Sequence, residues 1–456
     1  MKRKFLLILI ALSLTLSLFS CGNTDGDDGE VVKLSDIALP NYKSGQTIYL
    51  NVYNWGEYIS DGSEDSLDVN AEFEDYFNEN LSAKYGGVKI KVNYSTYPSN
   101  EDMYSKLTNS AVSYDVIIPS DYMIEKMREE KLLISFDASS LSNYGNILDS
   151  FKNAYYDPDN SFSVPYTYGM VGVIYNKEHV DPEDIGSWDL LWNEKYAGNI
   201  LQFNNPRDAF ATAMYWKGLD VNSTDADDWN YALELLKEQK DILQGYVNDE
   251  IFNKMQTESA WIAPYFVGDF LTMAEEEENL DFYFPEEGVN YFVDAMCIPT
   301  CSSNPHLALE YINYMISEEP AVANATYIGY ASPNKAVIES EEYIEAMAEY
   351  AYEGQNGENA YDLLYSNDPD EVNAKYNALF PNVKSPACYK SFTPEIQTKV
   401  NTLWEDLKIA GSVELWIHIS TIVIVSSVVV LAVYTLYIKK KRSRHYRLRD
   451  KEKLQK

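Results

Sequence analysis

Histidine and cysteine are scarce in this chain, four of each among 456 residues. Cys21 closes an N-terminal apolar run, which leaves Cys297, Cys301 and Cys388. An odd number cannot all pair within the chain, so buried free thiols or a single bridge are the readings that remain. Cys297 and Cys301 lack the second ligand pair of a zinc site, which argues against a metal. A nucleophile elbow, an HExxH helix and a P-loop are also missing, so neither hydrolysis nor phosphate chemistry has a motif to rest on. Acidic residues are numerous enough that some carboxylates must pair by chance, which does not by itself make a glycosidase. No cofactor is implied, and no repeat of fixed period is present. Basic residues are short as well: 36 Lys and Arg stand against 71 Asp and Glu, a formal net charge of −35.

The basic residues are concentrated at the two ends. Lys2-Arg3-Lys4 precedes an apolar run from Phe5 to Phe19, the pattern of a secretory signal over residues 1–20. Leu18-Phe19-Ser20-Cys21 resembles the lipobox of bacterial lipoproteins, which implies lipidation of Cys21, although Phe19 is bulkier than the small residue usual there. Residues 22–45, rich in Gly, Asp and Asn, read as a flexible tether. Residues 415–438 carry no Asp, Glu, Lys or Arg and are long enough to span a bilayer as a helix. Lys439-Lys440-Lys441-Arg442 follows, which assigns the tail 439–456 to the cytoplasm and everything before the span to the outside. His418 reads as an interfacial residue. Without tail and leader, 23 basic residues face 69 acidic ones, a net charge near −46. Such a field repels nucleic acid and attracts cations.

Residues 46–410 form the expected ectodomain, an α/β unit of two lobes. Ile48, Leu50 and Val52 alternate as in a strand that ends at Asn54-Trp55-Gly56-Glu57-Tyr58. A helix through Phe73 and Phe77, a strand with Val88, Ile90, Val92 and Tyr94, and a helix capped by Asn100 follow. Val116-Ile117-Ile118 then reads as a buried parallel strand, stopped by Pro119. Ser120, Asp121 and Tyr122 fall on the loop past its carboxyl end, where open α/β sheets bind ligands. Lobe 1 is expected over about 46–165 and 300–345, and lobe 2 over about 170–295 and 346–409. Glu275–Glu278 reads as a solvated helix end.

Several segments resemble the spermidine/putrescine-binding family, the substrate-binding lipoproteins of polyamine ABC transporters. They are Tyr53–Tyr58, Ser95–Glu101, Tyr114–Tyr122, Ser163–Tyr166, Asp294–Met296 and Ile328–Asn334, in the family's order. The resemblance implies a periplasmic-binding-protein fold of the type II kind, its lobes joined by hinge strands and closing on ligand. It also implies ligand-binding roles for Trp55, Tyr58, Ser120, Tyr122 and Tyr330, and for the carboxylates of Asp208 and Asp294. Phe266 and Phe292 fall where a spermidine-binding member has tryptophans, and Asn205 stands where the family has an aspartate. The expected partners are a polyamine, the permease subunits of an ABC transporter, and the membrane through the lipid and the C-terminal helix. A different ligand, such as ferric iron or a sugar, or a sensor role, is the alternative. The lack of histidine near these motifs and the presence of Trp55 argue against iron.

Overall fold

The computed structural model describes residues 30–63, 66–109, 111–349, 383–385, 387–409, 425–427, 430 and 434. Cys21 and most of the expected span 415–438 lie outside these residues. Among the described residues no helix is long and apolar enough to cross a membrane. The chain divides into two compact units, Met1–Lys399 and Val400–Lys456. The first contains the whole described sheet.

Among its described residues, nine strands build this unit: β1 (Thr47–Trp55), β2 (Lys89–Tyr97), β3 (Val116–Ile117), β4 (Ser163–Asn176), β5 (Ile200–Phe203), β6 (Leu243–Val247), β7 (Ile262–Phe266), β8 (Leu280–Tyr283) and β9 (Tyr291–Cys297). Their order is β2-β1-β3-β9-β4-β7-β5-β6, with β8 also on β4. Two parallel sets, β2-β1-β3 and β7-β5-β6, are thus separated by the antiparallel β4–β9 pair. β4 is the crossing strand. Its first half pairs with β9 and its second with β7 and β8, and all fourteen of its residues are buried. A strand covered on both faces reads as a continuous apolar run, and Met170–Tyr175 does. This is the two-lobed α/β architecture with strands passing between lobes.

Local chemistry sets the helices packed on the sheet: α1 (Val69–Tyr76), α2 (Asn100–Asn109), α3 (Asp121–Glu129), α4 (Pro206–Trp216), α5 (Val267–Glu276) and α6 (Pro305–Met315), of which α2, α3, α4 and α5 reach the cleft. The α6 face of Leu307, Ala308, Tyr311, Ile312 and Met315 is buried as its spacing requires. Two local expectations change. Ser99, not Asn100, caps α2: its Oγ accepts from the Asp102 N–H at 3.1 Å. Asp121 and Tyr122 are not on a loop but open α3, with Ser120 at its N-cap. Pro119 ends the ladder as expected, and the chain turns at once into a helix. Cys297 and Cys388 are free thiols. The segment from 387 to 392 touches both lobes: Asn222 Nδ2 donates to the Cys388 carbonyl at 3.0 Å and the Ser391 N–H to Glu125 at 2.8 Å.

Candidate functional site

The carboxyl ends of β1, β3, β5 and β7 converge on one cavity of about 720 Å³, its mouth included. All ten residues expected from the sequence line it: Trp55, Tyr58, Ser120, Tyr122, Asn205, Asp208, Phe266, Phe292, Asp294 and Tyr330. Among the described residues, Lys, Arg and His are absent from its lining. The cavity therefore joins aromatic rings to carboxylates with no cationic side chain in the described lining, while the buried Arg207 guanidinium behind Tyr122 and Tyr389 still pulls on Asp208 and Glu101.

On the first lobe the polar groups are satisfied within the protein. Trp55 Nε1 donates to the Ile118 carbonyl at 2.9 Å, and Tyr97 donates to the same oxygen at 2.6 Å. The Trp55 ring leans on Tyr97 with centroids 4.7 Å apart. Asn100, freed from capping, donates to Ser120 Oγ at 3.0 Å and accepts from the Ser120 N–H at 3.2 Å. It also reaches the Tyr122 hydroxyl at 3.2 Å, which donates in turn to Glu101 at 3.0 Å. Burial pushes the Glu101 carboxyl up to about 7.

Asp294 occupies the floor, on β9. It is 3 % exposed, and its Oδ2 accepts from the Tyr58 hydroxyl at 2.7 Å. Thr167 Oγ1 completes that chain, 2.5 Å from the phenol. Asp294 Oδ1 has no hydrogen-bond partner among the described residues. Burial raises the carboxyl to about 6, against the pull of the nearby Ser120 and Tyr58 hydroxyls and with the Asp208 charge adding to it. Burying an unpaired carboxylate costs several kcal/mol, so a group left this way in a cavity wall is poised for a cation.

The second lobe brings further carboxylates. Asn205 is the N-cap of α4, where its Oδ1 accepts from the Asp208 N–H and its Nδ2 donates to Asp208 Oδ2, both at 2.9 Å. The neutral amide thus holds Asp208 in place. Tyr389 donates to the other oxygen at 3.1 Å, and desolvation still raises the Asp208 carboxyl. Phe266 and Phe292 meet edge to face, centroids 5.4 Å apart.

Asp269, in the first turn of α5, was not expected from the sequence. It is 8 % exposed, and burial holds its carboxyl well above the ordinary range, with Asp249, Glu57 and Asp294 adding to the rise. Tyr330 hydrogen-bonds it and packs on Tyr58 edge to face, centroids 4.7 Å apart. A Cβ on Gly268 would fall 2.4 Å from the Tyr330 ring, so glycine is what lets that ring lie against α5. The signal that could have found Asp269 is its place: like Asp121, it is an acidic residue in the first turn of a helix that starts at a strand's carboxyl end. Asn100 and Tyr389 were likewise missed.

A family described as bacterial extracellular solute-binding protein matches residues 74–350. The chain belongs to that family. Among its relatives, the spermidine/putrescine-binding periplasmic protein of Salmonella typhimurium is 32% identical over 291 residues, which is 64% of this chain and 78% of that one. The resemblance to the spermidine/putrescine-binding group therefore extends well beyond its short motifs. Two solved structures agree. One, from Listeria monocytogenes and assigned to a spermidine/putrescine ABC transporter, has a TM-score of 0.66 at 29% identity and covers 79% of this chain and 99% of its own. The other, a spermidine/putrescine ABC transporter substrate-binding protein of Streptococcus pneumoniae, has a TM-score of 0.57 at 31% identity, covering 80% and 99%. This solute-binding protein shares with them a family built for transport, not catalysis.

Proposed function

We propose that this solute-binding protein captures a linear polyamine, spermidine or putrescine, outside the cell and delivers it to the permease of an ABC transporter. The observation that carries the reading is Asp294 Oδ1, buried and unpartnered in a cavity lined by rings and carboxylates and, among the described residues, by no cationic side chain. A polyamine supplies what is missing. Its ammonium groups form charge-assisted hydrogen bonds with Asp294, Asp208 and Asp269. Its methylenes lie between Trp55, Phe266 and Phe292, and each ring facing an ammonium contributes about 0.5–2 kcal/mol. The names of the relatives support the same ligand class.

Closure gives the permease its signal: a ligand touching both walls favours the state in which they meet. Lipidation of Cys21 and the span 415–438 would keep the protein beside its permease. The buried phenols also favour an amine over ferric iron, because Tyr58 and Tyr330 are hydrogen-bonded to carboxylates and held well above the ordinary phenol range. The test is calorimetric titration of the full-length protein with spermidine, putrescine, ferric citrate and a panel of sugars. Micromolar or tighter binding of a polyamine supports the reading. Binding of iron or a sugar with no heat from either polyamine overturns it.

A further inference from the structure

A second oxygen in the same cavity is orphaned. Asn290 is 4 % exposed, lines the cavity, and has no hydrogen-bond partner for its Oδ1 among the described residues. Its backbone carbonyl accepts from the Val171 N–H at 3.0 Å, which extends the β4–β9 register by one residue beyond Met170 and Tyr291. Alternate residues of a strand share a face, so Asn290, Phe292 and Asp294 stand in one row. At 3.2–3.4 Å of rise per residue, the two ends of the row are about 13 Å apart. Between them the Phe292 ring lies over Gly169, where a Cβ would come within 2.8 Å of the ring. The row reads carboxylate, ring, amide carbonyl.

We propose that Asn290 is a length determinant of this site: its Oδ1 accepts from the far amine of a triamine whose near amine is held by Asp294. This rests on the amine-binding reading above and deepens it by naming the class. The terminal nitrogens of an extended, staggered triamine with three- and four-carbon spacers are separated by nearly the length of the row, and those of a four-carbon diamine by about half of it. The triamine places its central amine and methylenes over Phe292. The diamine stops at that ring and leaves Asn290 Oδ1 buried without a donor.

The test is titration of full-length wild type, Asn290→Ala and Asn290→Asp with spermidine and putrescine. Wild type binds spermidine more tightly. Asn290→Ala loses about tenfold for spermidine and changes less than about twofold for putrescine, the size of one hydrogen bond to a charged donor. Asn290→Asp keeps the shape, adds charge, and widens the preference for spermidine; it decides the matter if the alanine variant does not fold. Equal losses for the two amines, or a ratio that neither variant moves, overturn the role of Asn290 while the amine reading stands. A wild-type protein that binds neither amine overturns both.

Discussion

The two walls of the cleft are built on opposite principles. On the first lobe, Trp55, Ser120 and Tyr122 have their polar atoms engaged by Ile118, Asn100 and Glu101, so that wall is complete within the protein itself. The floor and the second lobe hold Asp294, Asp208 and Asp269, carboxylates that burial pushes upward and that no cationic side chain in the described lining meets. One wall is preorganised for rings and methylenes. The other is under electrostatic stress that a ligand relieves. Shape is thus separated from charge, and each can be altered alone.

Breaking the charged side has the largest effect. Asp294→Ala lowers spermidine affinity by about 100-fold or more, on the order of 3 kcal/mol, because an ammonium is left buried without its carboxylate. An isotherm on the full-length variant measures it. Breaking the aromatic side costs less: Trp55→Ala loses about tenfold, from the ring face and its attraction for the cation, and Trp55→Phe recovers part of this in the same titration.

pH reads both sides, because the first lobe also holds raised carboxyls, Glu101 and Asp121, beside or behind its wall. Burial lifts Glu101, Asp121 and Asp294 to about 7, 8 and 6 from ordinary values of 4.5, 3.8 and 3.8. Since the folded state binds more protons than the unfolded one between those limits, the free protein becomes more stable as pH falls from about 8 toward 4. Ligand affinity runs the other way, falling below about pH 6 as Asp294 is neutralised. Melting temperatures of the free protein and spermidine isotherms across that range should move in opposite directions. The smallest effect is at Asn205: Asn205→Ala removes a helix cap worth about 1 kcal/mol of stability and one of the groups holding Asp208. Chemical denaturation should show the first and a few-fold weaker affinity the second.

Much of the frame was legible in the residues. Ile48, Leu50 and Val52 alternate because one strand face is core, and Val116–Ile118 is continuously apolar because β3 is covered on both faces. The site residues were reached through the order of short motifs, since a lone Tyr58 or Tyr330 looks like any core tyrosine. What stayed hidden depends on distant partners. Ser99 and Asn100 are adjacent residues of equal capping quality, and only Ser120, 20 residues on and on the same wall, decides that Asn100 turns away from the helix. Asp269 follows Phe266-Val267-Gly268, an apolar stretch that reads as core until β7 ends and α5 begins. Tyr389 lies in a segment with little periodicity, and its contact with Asp208 is 181 residues away in sequence.

If burial keeps carboxylates of the free cavity protonated, they must ionise when an ammonium arrives, and the protons must leave. Proton exchange on binding tests this most directly: calorimetry of spermidine with the full-length protein at about pH 6, repeated in buffers of different ionisation enthalpy. Release of about one proton per ligand is expected, reduced in Asp294→Asn, because spermidine is already fully charged and the protons come from the protein. Binding with no proton release, or release unchanged in that variant, would contradict it.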